Sequence, residues 1–398
     1  MHSIPFAERS LASSISLRLP KVGLAGICLL LIAPYARSEE GRRPLFEQAT
    51  ITQSGSYIVT SDFTVASGSA LVIDASQVTI DLNGKTIGTT VIGGAPLIQV
   101  GTTVQRLTIR NGQLTGGQYA IYGGGPQLTL VVHRVSISDA YQGLAVSARI
   151  ADVRDSVLTT ELVAIGVGAQ NIYVLGNAIR QQLNPAHDSS CGISINGFVT
   201  ATVRDNTIQC EAYNAAGAIY VSGAAASSTA LIDHNVITGG PAQAGILVVS
   251  GANTISNNTI TGFHTAAINL LSDGNSVLGN RLSYGSGPVN VGIAAGGSHN
   301  VLSGNLVTRY STGISVWGSR SRIEANTVQD CRDYGLRVDG SFHVVTGNQA
   351  QSALSAGSTG LELQGQSIVY LDNFLLGNLG SNFSDLGANN VDAGGNVF

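Results

Sequence analysis

Val174-Leu175-Gly176-Asn177-Ala178-Ile179, Val203-Arg204-Asp205-Asn206-Thr207-Ile208 and Ile232-Asp233-His234-Asn235-Val236-Ile237 are three copies of one word. An aliphatic residue is followed three positions on by Asn, and two positions later by a second aliphatic residue. The word returns at Asn258, Asn280, Asn305, Asn326 and Asn348, so successive Asn residues stand 29, 29, 23, 22, 25, 21 and 22 positions apart. A period of this size marks a solenoid, in which each repeat buries its apolar side against the next. A second word, a small residue followed by Ile or Leu, lies between the first: Ile121, Leu144, Ile165, Ile193, Ile219, Ile246, Ile268, Ile293, Ile314, Leu336 and Leu361, at intervals of 21 to 28. Two independent markers advance in step.

Short runs such as Gly192-Ile193-Ser194-Ile195 alternate inward and outward side chains, as strands do. Three strands and three turns fit into about 22 residues, with each coil bonding to the next at about 4.8 Å. The sequence therefore predicts an all-β parallel β-helix of about 12 coils. The Asn suits a bend that needs a left-handed residue, and stacked Asn side chains can bond along a ladder, each bond contributing about 1 kcal/mol net. The alternative is a leucine-rich-repeat solenoid, whose unit Ile172 to Ile179 fits. Other coils place Ala201, Ala230, Asn253, Asn275, Asn300 or Ser321 where that unit needs an aliphatic residue, which points to a second turn ladder.

Composition agrees with export rather than with nucleic-acid binding. Charged residues make up 11% of the 398, against about 25% in an average soluble protein. The formal charge of −4, without a basic block, argues against a nucleic-acid partner. Arg9, Arg18 and Lys21 precede the apolar run Val22 to Ile32, then small residues Ala33 and Ala36; this order predicts a signal peptide over 1–36, removed near Ala36. Eleven apolar residues are too short to span a bilayer, so no stable membrane span is expected after cleavage. The expected location is secreted or periplasmic, as a monomer. Of four Cys, Cys28 leaves with the signal; an odd remainder of Cys191, Cys210 and Cys331 suggests one pair and one thiol. Cys191 ends one long loop and Cys210 begins the equivalent loop one coil on, so these two are expected to bridge.

Ile51 to Asp62, Ala70 to Asp74 and Val78-Thr79-Ile80-Asp81-Leu82-Asn83-Gly84-Lys85-Thr86-Ile87-Gly88 resemble the opening coils of bacterial right-handed β-helix repeat proteins of the pectate lyase-like superfold. The resemblance covers roughly residues 45 to 398 and implies a right-handed fold. The expected division is a single domain over 37–398: N-terminal capping coils at 45–115, regular coils at 116–375, and a C-terminal cap at 376–398 that shields the last coil. Activity does not follow, because that superfold hosts lyases, hydrolases, epimerases, phage spikes and adhesins.

The resemblance also implies that substrate lies along the strand carrying the small-Ile word. Insertions concentrate in the loop entering it, at Gln181 to Cys191 and Cys210 to Gly217. Candidate catalytic residues there are His187, Asp188, Glu211, Tyr220 and His264: His and Tyr can serve as base and acid for elimination or epimerisation, and two carboxylates for hydrolysis. Candidate substrate-binding residues are Tyr122, Ser194, Tyr213, Asn269, Tyr310, Trp317 and Arg337, with aromatic faces for sugar rings and arginine for uronate carboxylates. A second cluster gathers Arg309, Tyr310, Trp317, Asp330, Arg332, Asp333, Tyr334, Arg337 and Asp339. Asn184-Pro185-Ala186-His187-Asp188 is similar to the Asp-Pro-His-Asp word of alginate epimerases, but has Asn for the first Asp and an inserted Ala186. No cofactor and no metal constellation is expected, with a calcium site of stacked carboxylates left open. The sequence thus points to an exported protein that binds, and as lyase, epimerase or hydrolase modifies, a polysaccharide. A non-catalytic surface or periplasmic scaffold or adhesin is the alternative.

Overall fold

The computed structural model describes residues 41–91, 94–182, 192–211, 217–224, 227–240, 244–284, 290–351 and 355–398. The expected leader over 1–36 lies outside them. All strand pairings of the described residues are parallel, and none of those residues is in an α-helix. The chain coils about 14 times, more than the 12 expected, and the leucine-rich-repeat alternative fails.

Three parallel sheets run the length of the solenoid. The first carries the small-Ile word, as in Ile193–Asn196, Ile219–Ser222 and Thr312–Val316. The second is exemplified by Thr200–Arg204 and Ser276–Leu278, and the third by Thr207–Cys210 and Arg281–Ser283. Register makes the repeat words into columns. Ile121, Leu144, Ile165, Ile193, Ile219, Ile246, Ile268, Ile293, Ile314, Leu336 and Leu361 are consecutive partners, every one fully buried. Burying such a side chain contributes about 1.5–3 kcal/mol, and no coil can do it alone.

The Asn word forms a ladder. From Asn177 through Asn206, Asn235, Asn258, Asn280, Asn305, Asn326, Asn348 and Asn373 to Asn396, each Nδ2 donates to the next Oδ1 at 2.9–3.1 Å. Each Oδ1 also accepts the backbone N–H of the preceding Asn. The left-handed residue at this bend is the one before the Asn, as at Asp205, His234, Asn257 and Gly279, not the Asn itself. The Asn side chain must turn inward to stack, and the preceding residue supplies the reversal. A second ladder, Asn253, Asn275 and Asn300, continues into Ser321 and His343.

Residues 376–398 were expected to shield the last coil. They form a further coil in register: Ser381–Asp385 pairs with Thr359–Leu363, and Val391–Asp392 with Val369–Leu371. Asn390 and Asn396 extend both Asn columns, so the Gly/Asn richness of this segment is ladder chemistry.

Candidate functional site

On the first sheet, residues one and three positions after the buried Ile face outward. The inner of these two rows reads Gln99, Tyr122, Ala145, Gly166, Ser194, Tyr220, Leu247, Asn269, Ala294, Ser315, Arg337 and Glu362. The outer row begins Gly124, Ser147, Gly168, Asn196 and Ser222. Over five coils, from Ile98–Val100 to Ile193–Asn196, these rows enclose a groove of about 790 Å³. Four coil steps give it a length of about 19 Å.

The groove exists because side chains are missing. Its floor is Gly124, Ala145, Ser147, Gly166 and Gly168. Gly168 has an ordinary backbone conformation, and a Cβ there would touch nothing closer than 3.7 Å. The fold therefore does not demand glycine at this position. Tyr122, 43% exposed, borders the floor, its ring centroid 4.7 Å from that of Tyr119. Polar reach comes from Gln99, Gln142, Ser194 and Asn196, with Asn196 Nδ2 donating to Ser194 Oγ at 3.0 Å. Among the described residues that line it, none is charged. This lining offers an apolar ring face and amide and hydroxyl partners, but no acid or base.

Of the sequence candidates, Tyr122 and Ser194 lie in this groove, and Tyr220 is the register partner of Ser194 just beyond it. His187, Asp188, Cys191 and Tyr213 lie outside the described residues. Glu211 follows the third-sheet strand and is held by Arg180 at 3.1 Å and by Gln209 Nε2 at 2.9 Å. His264 is exposed two coils further along, edge-on to Tyr284 at 6.2 Å. Glu211, Tyr220 and His264 thus each have their own separate surroundings among the described residues. Asn269 faces outward on its strand, with its Oδ1 sheltered and unpaired among the described residues.

Tyr310 is corrected by its position. It is 1% exposed and packs 5.8 Å from Tyr284, which is itself buried, so it fills the interior corner and cannot meet a glycan. Burial pushes its phenol far above the ordinary range. Burial also pushes the neighbouring Cys331 thiol up to about 12. Cys210 is buried too, its Sγ 2.9 Å from Gln181 Oε1.

The second cluster is a set of local ion pairs. Arg332 pairs with Asp333 at 2.8 Å, and that hydrogen bond holds the Asp333 carboxyl below its ordinary range. Arg337 donates to Gln364 Oε1 at 2.6 Å, approaches Glu362 at 3.5 Å and lies 5.4 Å over the Tyr334 ring. A uronate would have to displace these partners, among them the buried Glu362, so local pairing takes the place of the expected carboxylate clamp. Trp317, the only Trp of the chain, stands 42% exposed after its first-sheet strand.

Sequence reading passed over Gly124, Ala145, Gly166 and Gly168 because it looked for reactive side chains. The signal was present nonetheless: outward strand positions with Gly, Ala or Ser in successive coils, beside Tyr122.

A solenoid with this register, carrying a surface groove along one sheet, is a parallel β-helix. Residues 164–328 match the family described as right handed beta helix region, so the coil is right-handed. No curated protein matches the chain in sequence. Solved structures similar to it include the A-module of a mannuronan C-5 epimerase from Azotobacter vinelandii, at 15% identity and TM-score 0.39, covering 85% of this chain and 91% of that one. A periplasmic alginate epimerase follows at 10% identity and TM-score 0.40, with coverages of 87% and 79%. The catalytic unit of a thermostable GH87 α-1,3-glucanase from Streptomyces thermodiastaticus shows 15% identity and TM-score 0.40, with coverages of 87% and 62%.

Proposed function

We propose that this is an exported polysaccharide-binding protein, and that an uncharged glycan lies in the groove between Gln99 and Asn196. One observation carries the reading: the outward floor position Gly168 is glycine where the backbone does not require it. The result is a trough beside an exposed Tyr with amide and hydroxyl groups in reach. Pockets that hold ligands combine an apolar surface with a few placed polar groups, and this one has both. The absence of charge in the lining favours neutral sugars over uronates, for which an arginine fork would be expected.

Affinity electrophoresis through gels containing mixed-linkage β-glucan, galactomannan, xylan, alginate or polygalacturonate tests this. Wild-type protein should be retarded by at least one neutral polymer. Gly168→Leu, which fills the floor, should weaken that retardation by about tenfold or more with an unchanged melting temperature. Retardation by no polymer, by the uronate polymers alone, or equally in wild type and Gly168→Leu overturns the proposal.

A lyase-, epimerase- or hydrolase-type step is the second reading. It is favoured by Tyr220, which registers beside Ser194 at the end of the groove, on the strand entered by the loop that holds Glu211. Turnover of the bound glycan, lost in Tyr220→Phe and in His187→Ala, would establish it. Binding without any product leaves the scaffold or adhesin role.

A further inference from the structure

We infer that the same face carries a second glycan subsite, built on Trp317 and lying about five coil steps, or about 24 Å, beyond the groove. The inference rests on the groove reading and extends it to a longer polymer.

Three observations lead there. First, the groove does not end in a barrier. Between Ser194 and Ser315 the inner row reads Tyr220, Leu247, Asn269 and Ala294, all uncharged. On the outer row Leu271, Gly296 and Trp317 follow one another, each donating its backbone N–H to the preceding coil. On these two rows the first charges are Arg337 and Asp339, one coil past Trp317, while the exposed Asp273 stands at the turn beside them, its Oδ1 accepting from Ser298 N at 2.7 Å. An uncharged track thus leads from the groove to the indole.

Second, the indole is seated. Gly296 has an ordinary backbone conformation, yet a Cβ there would come within 2.7 Å of Trp317 Nε1, 3.0 Å of Cε2 and 3.2 Å of Cζ2. These three indole atoms are the nearest to it. Glycine at 296 is therefore explained by the indole lying across it, and the ring is held against the neighbouring coil rather than left to swing.

Third, the ring remains 42% exposed in that seat. Trp combines a large apolar face with one N–H donor, which matches the apolar face and hydroxyl rim of a sugar ring. Leu271 is exposed on the other side of Gly296 and widens the apolar platform. Two weak sites on one rigid face gain affinity for a chain long enough to reach both, through effective concentration rather than new contacts.

Because Trp317 is the chain's only Trp, intrinsic fluorescence reports on this subsite alone. Full-length protein is titrated with soluble mixed-linkage β-glucan, galactomannan and xylan, and with their hexasaccharides, while emission and acrylamide quenching are followed. A polymer that retards the protein in gels should shift the emission to the blue and protect it from acrylamide. Trp317→Ala should weaken polymer binding about tenfold or more and leave hexasaccharide affinity in the groove, measured by calorimetry, unchanged. An emission unmoved by a polymer that binds overturns the inference and leaves the groove reading intact. An emission shift that persists in Gly168→Leu with undiminished affinity keeps the Trp317 subsite and overturns the groove. Binding to none of the polymers overturns both. A concentration-dependent shift without glycan would put a second copy on the platform and overturn the inference.

Discussion

Asn280 sits in the middle of the main ladder, fully buried, and its replacement tests whether that ladder stabilises the fold. Its Oδ1 accepts from Asn258 N at 2.9 Å and Asn258 Nδ2 at 3.0 Å; its Nδ2 donates to Ile255 O at 2.9 Å, Leu278 O at 3.2 Å and Asn305 Oδ1 at 3.0 Å. Asn280→Ala removes the acceptor from two buried donors. At about 1–3 kcal/mol for each unsatisfied group, the expected loss is about 2–6 kcal/mol. Asn280→Asp keeps the acceptor but points a carboxylate at three oxygens. Its folded pKa must rise above the unfolded value, so this variant's loss of stability relative to wild type should be larger at pH 7 than near pH 4, where the acid is neutral. Urea unfolding is followed by far-UV circular dichroism and by Trp317 fluorescence. Because a solenoid can unfold in segments, the two curves are compared before one free energy is assigned. Arg281→Ala, on the exposed side of the next residue, serves as control and should change stability by under about 0.5 kcal/mol. If Asn280→Ala loses less than about 1 kcal/mol, or the loss in Asn280→Asp relative to wild type is no larger at pH 7 than at pH 4, the ladder is ornamental and the reasoning fails.

His343 occupies the second ladder as a neutral ring, its Nδ1 accepting from Ser321 N and its Nε2 donating to Asp339 O. Burial pushes its pKa down, so the unfolded chain takes up a proton that the folded one refuses. Stability is then complete above about pH 6.5 and falls with pH, by up to about 2 kcal/mol at pH 5. The same urea midpoints in His343→Asn, which matches the earlier rungs, should lose that component of the slope. Gly313→Ala should cost about 1–3 kcal/mol, because a Cβ there would stand 2.2 Å from Val328 Cγ1 and 2.6 Å from Gly335 O. Gly168→Ala should be neutral or stabilising by up to about 1 kcal/mol; equal melting shifts for the two would refute the steric argument. We propose that Cys191 and Cys210 are bridged; titration of denatured, unreduced, mature protein should find a single thiol, and three would exclude the pair.

The period was legible because both marker words occupy columns whose chemistry tolerates little else. A buried Ile column and a self-bonding Asn column each repeat one residue type for physical reasons. Coil number was underestimated because the N-terminal coils, such as Gly55–Val59 and Val78–Asp81, precede both columns. Which of Asp205 and Asn206 takes the left-handed conformation could not be read, since either residue type tolerates it. Tyr310 misled for a related reason. Near a corner of the coil, one residue decides between inside and outside, and an aromatic that fills the interior looks like one that greets a ligand.

Stability and recognition are carried by different side chains of the same strands. Ile165 and Val167 face the core, while Gly166 and Gly168 between and after them face the groove. With the inward column and the two Asn ladders setting coil pitch, outward positions such as Gly168 carry less of the fold than the inward ones, although Gly124, at φ +86°, still has to be glycine. Outward positions can be emptied, as at Gly168, or furnished, as at Trp317, at little cost to the fold. A face whose features recur at one fixed spacing is complementary to a ligand that also repeats, and that favours a polymer over a compact small molecule.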